Sequence, residues 1–384
     1  LGEGFALLEV KSTVDAKAKH LPDLAIQTYV ARRAGLRIDR IEVMHLNRGH
    51  RHPDVEPLFV RSDVTESVNA LVAQVPAEIA RQLAMLGRAQ PEVAVGDHCH
   101  KPYTCPFESR CWPAPRLHDV AELYRMSSKA ADLRALGYDS IADVPDDAQL
   151  NAIAARQRKA VLRGETVVEP GLQQVLDTLV QPLSFLDFEA VNAALPIWNG
   201  CAPYQSVPVQ HSVHRAMADG STTHAAFLAE GPSDPRARLA EDLLQATAGA
   251  GSVLVWHAEF ERKCILELAD LLPARAAELH ALADRLVDLL PIVRNHVYHP
   301  EFRGSFSLKD VGPALVPELA YDDLAITDGN TAAVTLLAWL VNGSECSAEQ
   351  RARTRAELLA YCERDTLLLV HILERLRALS QACP

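Results

Sequence analysis

The sequence predicts an α/β protein with mixed sheets, in two halves joined by a helical spacer. Three observations carry this. Residues 5–47 read as strand, helix, strand. The segment FLDFEAV, Phe185–Val191, opens a second run of Val-, Leu- and Phe-rich strands alternating with helices. Between them, residues 117–165 are polar, Ala-rich and helical.

Composition narrows the classes. A chain of 384 residues has room for two or three domains, and 48% hydrophobic with 23% charged residues is ordinary for a water-soluble fold. A net charge of −12 argues against a sequence-blind coat for nucleic acid, though an acidic, metal-loaded active site would tolerate it. No apolar run reaches about 18 residues, so no membrane partner is expected. Eight cysteines without a secretory signal read as thiols or metal ligands in a cytoplasmic protein. The chain opens at Leu1 almost directly on a strand, and we expect it to be the C-terminal part of a longer protein.

In chain order, FALLEVK (5–11) predicts a strand, residues 22–34 an amphipathic helix stopped by Gly35, and 37–47 a second strand. Glu9 and Lys11 share a strand face, and Gln27 and Tyr29 lie on the helix that follows. Residues 63–90 read as a helix interrupted at Pro76. Cys99, Cys105 and Cys111 then follow at C-x5-C-x5-C spacing. Thiolates at this density suit an iron–sulfur cluster or Zn²⁺, with His98 or His100 able to complete a zinc site; unliganded thiols are the alternative. Residues 132–145 have the pattern of a helix-hairpin-helix turn, which either offers backbone N–H groups to phosphate or serves as a packing spacer. The boundary is placed at Val168–Gly171, giving segments 1–116, 117–170 and 171–384.

In the third segment, Asp187 and Glu189 are two apart on a strand and so face one side. A D-x-E pair is common on solvated strands. Here the apolar flanks Phe185, Leu186 and Phe188 imply entry into a core, where paired carboxylates need a cation. Strands are expected at 205–214, 223–230 and 252–256, with a helix at 234–248. The helix after 256 begins with His257 and carries Phe260 and Glu261. Short helices are expected at 305–315 and 329–341, and a long one at 347–379 with Tyr361 and Asp365 four apart on one face.

These motifs carry a resemblance. D-x-E on a strand, H-x-x-F-E after a strand and Y-x-x-x-D on a late helix, over residues 183–379, resemble the Tyr-subtype DEDD 3′–5′ exonucleases of ribonuclease-H-like fold. Glu261 stands where that family has Asp, and His257 where it has Asn. Glu9, Lys11 and Gln27 resemble the PD-(D/E)xK core of RecB-like nucleases, without the Asp that family carries on a preceding strand. The cysteine triplet falls where some RecB-like nucleases hold three ligands of a [4Fe–4S] cluster, the fourth lying upstream. The joint layout resembles a bacterial family known as domain of unknown function 2779.

The resemblance implies Asp187, Glu189, Glu261 and Asp365 as ligands of two Mg²⁺ or Mn²⁺ ions, Tyr361 as the group orienting water, and His257 and Lys309 as substrate contacts. Arg262 and Lys263 would add local positive charge. The implied substrate is the 3′ end of single-stranded DNA or RNA. Two alternatives stand beside it: cleavage by Glu9 and Lys11 with Gln27 in support, and a non-catalytic nucleic-acid scaffold built from degenerate nuclease folds. No protein partner is implied.

Overall fold

The computed structural model describes all residues except 1–3, 54, 112–115, 218–219, 343–345 and 383–384. Two compact units form, residues 1–114 with 193–205, and residues 115–192 with 206–384. The helical stretch 117–170 therefore groups with the second unit.

In the first unit, β1 (Phe5–Val10) pairs in parallel with β2 (Ile38–Leu46), and α1 (Leu21–Arg33) makes the crossover. An unexpected strand, β3 (Phe59–Asp63), adds antiparallel to β2. It is short, largely exposed and contains Arg61 and Asp63, so it lacks the apolar alternation of a half-buried strand. The predicted 63–90 helix is two helices, α2 (Thr65–Val72) and α3 (Val75–Leu86), with Pro76 in the first turn of the second. Leu24, Ile41, Val43 and Val68 are fully buried in this unit's core.

The described part of the cysteine loop contains a 3-10 turn at Asp97–Cys99 and the short helix α4 (Glu108–Cys111). In the second unit, residues 117–165 resolve into α5 (Ser127–Ala135), α6 (Ala152–Arg163) and single 3-10 turns. Asn151 caps α6 through Ala154 N–H, and Gly164 ends it in the left-handed conformation, φ 65°. These pieces enclose their own small core around Val120, Leu133, Ile141 and Val144. Strand β4 (Val167–Val168) and α7 (Leu172–Leu176) follow.

The second unit is organised on β5 (Leu183–Val191). It is the middle strand of a five-stranded sheet with β6 (Val207–Ala216), β7 (Thr222–Leu228), β8 (Ser252–Val255) and β9 (Leu286–Asp288), in the order β7-β6-β5-β8-β9. The β7-β6-β5 pairs are antiparallel and the β5-β8-β9 pairs parallel. On one face Leu186 and Phe188 join the cluster made with α8 (Arg236–Ala246), α9 (Glu259–Leu271) and α10 (Ala276–Asp284). Alternation leaves Asp187 and Glu189 on the other face. There α14 (Ala348–Ala382), roughly 50 Å long, lies against β5 and β6 and buries Leu358, Leu368, Leu369, Ile372 and Leu376. Between β9 and α14 come α11 (Leu289–His296), β10 (Val297–Tyr298), α12 (Leu308–Leu315) and α13 (Gly329–Asn342). None of the described helices is long and apolar enough to cross a membrane.

A candidate metal centre on the central strand

Asp187, Glu189 and Asp365 converge. One carboxylate oxygen from each lies within 4.8 Å of the others. Three features bring them together. The strand period puts the first two on one face; a register shift follows directly after Glu189, where β5 leaves regular pairing with β6. The apolar stripe of α14 seats Asp365 on that face, only 6% exposed.

Burial sets the electrostatics. It holds Asp187 well above the usual carboxylate range, and the charges of Asp365, Glu189 and Glu261 push it further. Burial, then Asp365, raises Glu189 to about 8. Asp365 is also raised by burial, against the opposing pull of Lys309 and Tyr321. Desolvation and mutual repulsion in such a set favour the protonated forms unless cations neutralise it.

Lys309 is the nearby ammonium. Its Nζ lies 3.4 Å from Asp365 Oδ1 and 3.4 Å and 4.2 Å from the ring centroids of Tyr321 and Tyr361. Burial lowers its own pKa. It reaches this place because α12 approaches α14 very closely: a Cβ on Gly312 would stand 2.3 Å from Leu368 Cδ2.

Two contacts were not legible beforehand. Tyr321 donates its hydroxyl to Asp365 Oδ1. The loop carrying it is clamped to α14 by a bidentate pair from Arg364 to Asp323, 3.0 and 2.8 Å. Cys362 points its thiol at Asp187 Oδ2, 3.5 Å away, and burial keeps that thiol protonated. Tyr361 is 3% exposed beside these groups.

Glu261 stands outside the close trio but near enough to raise Asp187. It is buried, its Oε2 has no hydrogen-bond partner, and burial lifts its pKa to about 8. His257 is exposed and left-handed at φ 72°. Its N–H and that of Ala258 donate to Asp288, at 3.0 and 3.1 Å, which also caps α11. The other basic candidates face acids: Arg262 lies 3.9 Å from Asp284 and Lys263 3.8 Å from Glu267.

In the first unit, Glu9 and Lys11 pair at 2.8 Å, and Lys11 also reaches Asp23 at 2.7 Å. Gln27 donates to both acids at 3.2 Å. Asp23 was not anticipated; it lies one helical turn before Gln27. Tyr29 packs against the unit's apolar core. The three cysteines are free thiols that line one cavity of about 1040 Å³ together with His98 and Arg110. His98 Nε2 is 3.6 Å from Cys99 Sγ, while His100 faces Glu108 at 3.9 Å.

The family model described as "Domain of unknown function (DUF2779)" matches residues 184–307. That match covers about a third of the chain. The match begins on β5 with both strand acids and ends just before Lys309, so Tyr361 and Asp365 lie beyond it. No curated protein matches the chain. Among solved structures, it resembles the family B DNA polymerase of the hyperthermophilic archaeon Pyrobaculum calidifontis at 17% identity and a TM-score of 0.32. That likeness covers 50% of this chain and 24% of the polymerase, and is too distant to bear on activity.

The donor set fits a hard divalent ion: three mutually close carboxylates, a fourth nearby with an unpartnered oxygen and, among the described residues, no competing soft ligand but a protonated thiol.

Proposed function

We propose that this chain is a metal-dependent nuclease, a 3′–5′ exonuclease that hydrolyses phosphodiester bonds at the ends of single-stranded nucleic acid. The observation that carries the reading is the convergence of partly buried Asp187 and Glu189 with buried Asp365, beside Tyr361. The mixed sheet with its acids on the central strand and on a covering helix supports the ribonuclease-H-like, DEDD-type assignment.

Asp187, Glu189 and Asp365 would hold Mg²⁺ or Mn²⁺, with Glu261 at the edge of the set. When bound, such ions activate water and neutralise charge developing on the phosphate. The protein supplies the rest. Tyr321 and Lys309 hold the Asp365 carboxylate in place, and Cys362 does the same for Asp187. The Tyr361 hydroxyl, kept neutral by burial, orients the attacking water. His257, exposed at the start of α9, is placed to meet the strand being cut. Lys309 sits against the cluster and can meet a phosphate oxygen as the carboxylates bind metal.

The cysteine triplet is proposed as the protein's share of a [4Fe–4S] site, with Zn²⁺ the alternative. Anaerobically purified protein should carry iron and a broad visible absorbance that Cys105→Ser removes.

The deciding experiment is degradation of end-labelled DNA and RNA with Mg²⁺ or Mn²⁺. Stepwise loss from the 3′ end, stopped by chelator and by Asp365→Ala, is expected. Cleavage that survives Asp365→Ala and is lost with Lys11→Ala would move the chemistry to the first unit, where Asp23 joins Glu9, Lys11 and Gln27. Binding with no cleavage under any metal would favour a scaffold.

A further inference from the structure

The second unit carries another group of metal-ligating side chains, which the nuclease reading does not use. His214 on β6, His224 on β7 and Glu363 on α14 each bring one ligand atom to within 4.8 Å of the others. The imidazoles stack with centroids 4.4 Å apart, and His224 Nδ1 lies 3.6 Å from Glu363 Oε1.

The geometry points to a transition-metal site of the zinc class, with a His₂Glu ligand set, clamping α14 to the β6–β7 strand pair.

Four observations support it. Cross-strand pairing fixes the two histidines opposite one another, His214↔His224, so the site is built on sheet rather than on loop. Each ring is oriented by a hydroxyl on the nitrogen that would not bind. His214 Nδ1 meets Thr366 Oγ1 at 2.8 Å, and His224 Nε2 meets Ser212 Oγ at 2.9 Å. The two hydroxyls bond each other at 2.6 Å, and Thr366 also donates to the Glu363 carbonyl at 3.1 Å. Outer hydrogen bonds of this kind set the tautomer and aim the free nitrogen in metal–histidine sites. His214 is 5% exposed, so its ring is held in place by the surrounding sheet and helix. Glu363 is about half exposed, which leaves an entry path and open coordination positions. Imidazole with one carboxylate favours zinc-class ions, unlike the all-carboxylate centre on β5.

Glu363 is two residues from Asp365, and Ser212 is the register partner of Asp187. An ion here would therefore brace the strand and helix that carry the candidate catalytic acids. This inference does not need those acids to be catalytic.

The test uses the full chain with Asp187→Asn and Asp365→Asn, which removes the competing carboxylate centre. Zn²⁺ uptake is titrated against a chromophoric chelator, and Cu²⁺ electron paramagnetic resonance reads imidazole nitrogens. The expected result is loss of one Zn²⁺ equivalent, with its nitrogen hyperfine lines, in His224→Gln, and loss of the same equivalent in Glu363→Gln. Thr366→Val should weaken that equivalent by about 10–100-fold. Any zinc on the cysteine triplet stays constant across the series. Unchanged stoichiometry in both Glu363→Gln and His224→Gln would overturn the site. Glu363 is half exposed, so its variant keeps the test valid if a histidine variant does not fold.

Discussion

The two units each gather acids around a lysine, and they do so in opposite ways. In the first, Glu9 and Asp23 share Lys11 and Gln27 near the surface, with side chains 23–48% exposed. Lys11 and Gln27 hold Asp23 below its usual range, and the two acids raise Lys11. The charges there are already matched and solvated. In the second, three carboxylates, one buried and two partly buried, share one ammonium, and desolvation raises the acids while lowering Lys309. Three acids cannot ionise there against a single lysine without further cations. Proximity of acids is thus a poor sign of a metal centre, and their unmatched burial is a better one.

The largest effect expected from this contrast is on cleavage. Asp365→Ala should reduce metal-dependent release of terminal nucleotides by about 10³-fold or more, while Lys11→Ala changes it less than about twofold. Single-turnover assays at saturating Mn²⁺ measure both. Equal losses in the two variants would erase the distinction between the units.

The next effect is on stability. Glu189 and Glu261 fold with pKa values near 8, against an ordinary 4.5. A raised folded pKa means that the folded state holds more protons between those values. Its stabilising effect is full below about pH 4.5 and is lost as pH rises through 8. Metal-free protein should therefore melt several degrees lower at pH 8.5 than at pH 5.5. Saturating Mg²⁺ or Mn²⁺ should restore most of that loss at pH 8.5 and change little at pH 5.5, because ions compete with protons for the same oxygens. Scanning calorimetry with and without chelator reads both; a metal-induced rise of equal size at the two pH values would contradict it.

A smaller effect tests the loop that sequence did not reveal. Tyr321→Phe removes one hydrogen bond to Asp365 but keeps the ring against Lys309. Metal affinity should fall by about tenfold, with the melting temperature of the metal-free protein nearly unchanged. Isothermal titration with Mn²⁺ checks the first and calorimetry the second.

Much of this arrangement was legible in local pattern. Alternation in FLDFEAV put Asp187 and Glu189 on one face, and the four-residue spacing in the last helix put Asp365 beside Tyr361. The partners of those acids were not legible, because they are set by tertiary contacts alone. Tyr321 lies in an irregular loop whose position depends on the Arg364–Asp323 clamp. Lys309 was expected to meet substrate, and its place on Asp365 follows from the close approach at Gly312. Glu261 was placed among the metal ligands, yet it remains at the margin of the trio. The short strands β3 and β9 carry too few residues for a period to register, and Asp288 at the end of β9 is satisfied by three backbone N–H groups.

The smallest expected effect concerns Lys11 itself. Lys11→Ala leaves Glu9 and Asp23 without their shared cation but with water and Gln27 still available. Pairs this exposed are worth about 0.2–1 kcal/mol, so the loss in urea unfolding should stay under about 1 kcal/mol. Asp365→Ala in metal-free protein should go the other way: it removes a buried acid from a cluster with too few cations, and so should raise stability as pH increases toward 8. The two variants together separate an ion pair formed for its own sake from an acidic cluster poised for ions supplied from solution. If Lys11→Ala proved the more costly at every pH and Asp365→Ala destabilised the metal-free fold, the acids of the second unit would be serving structure and not metal.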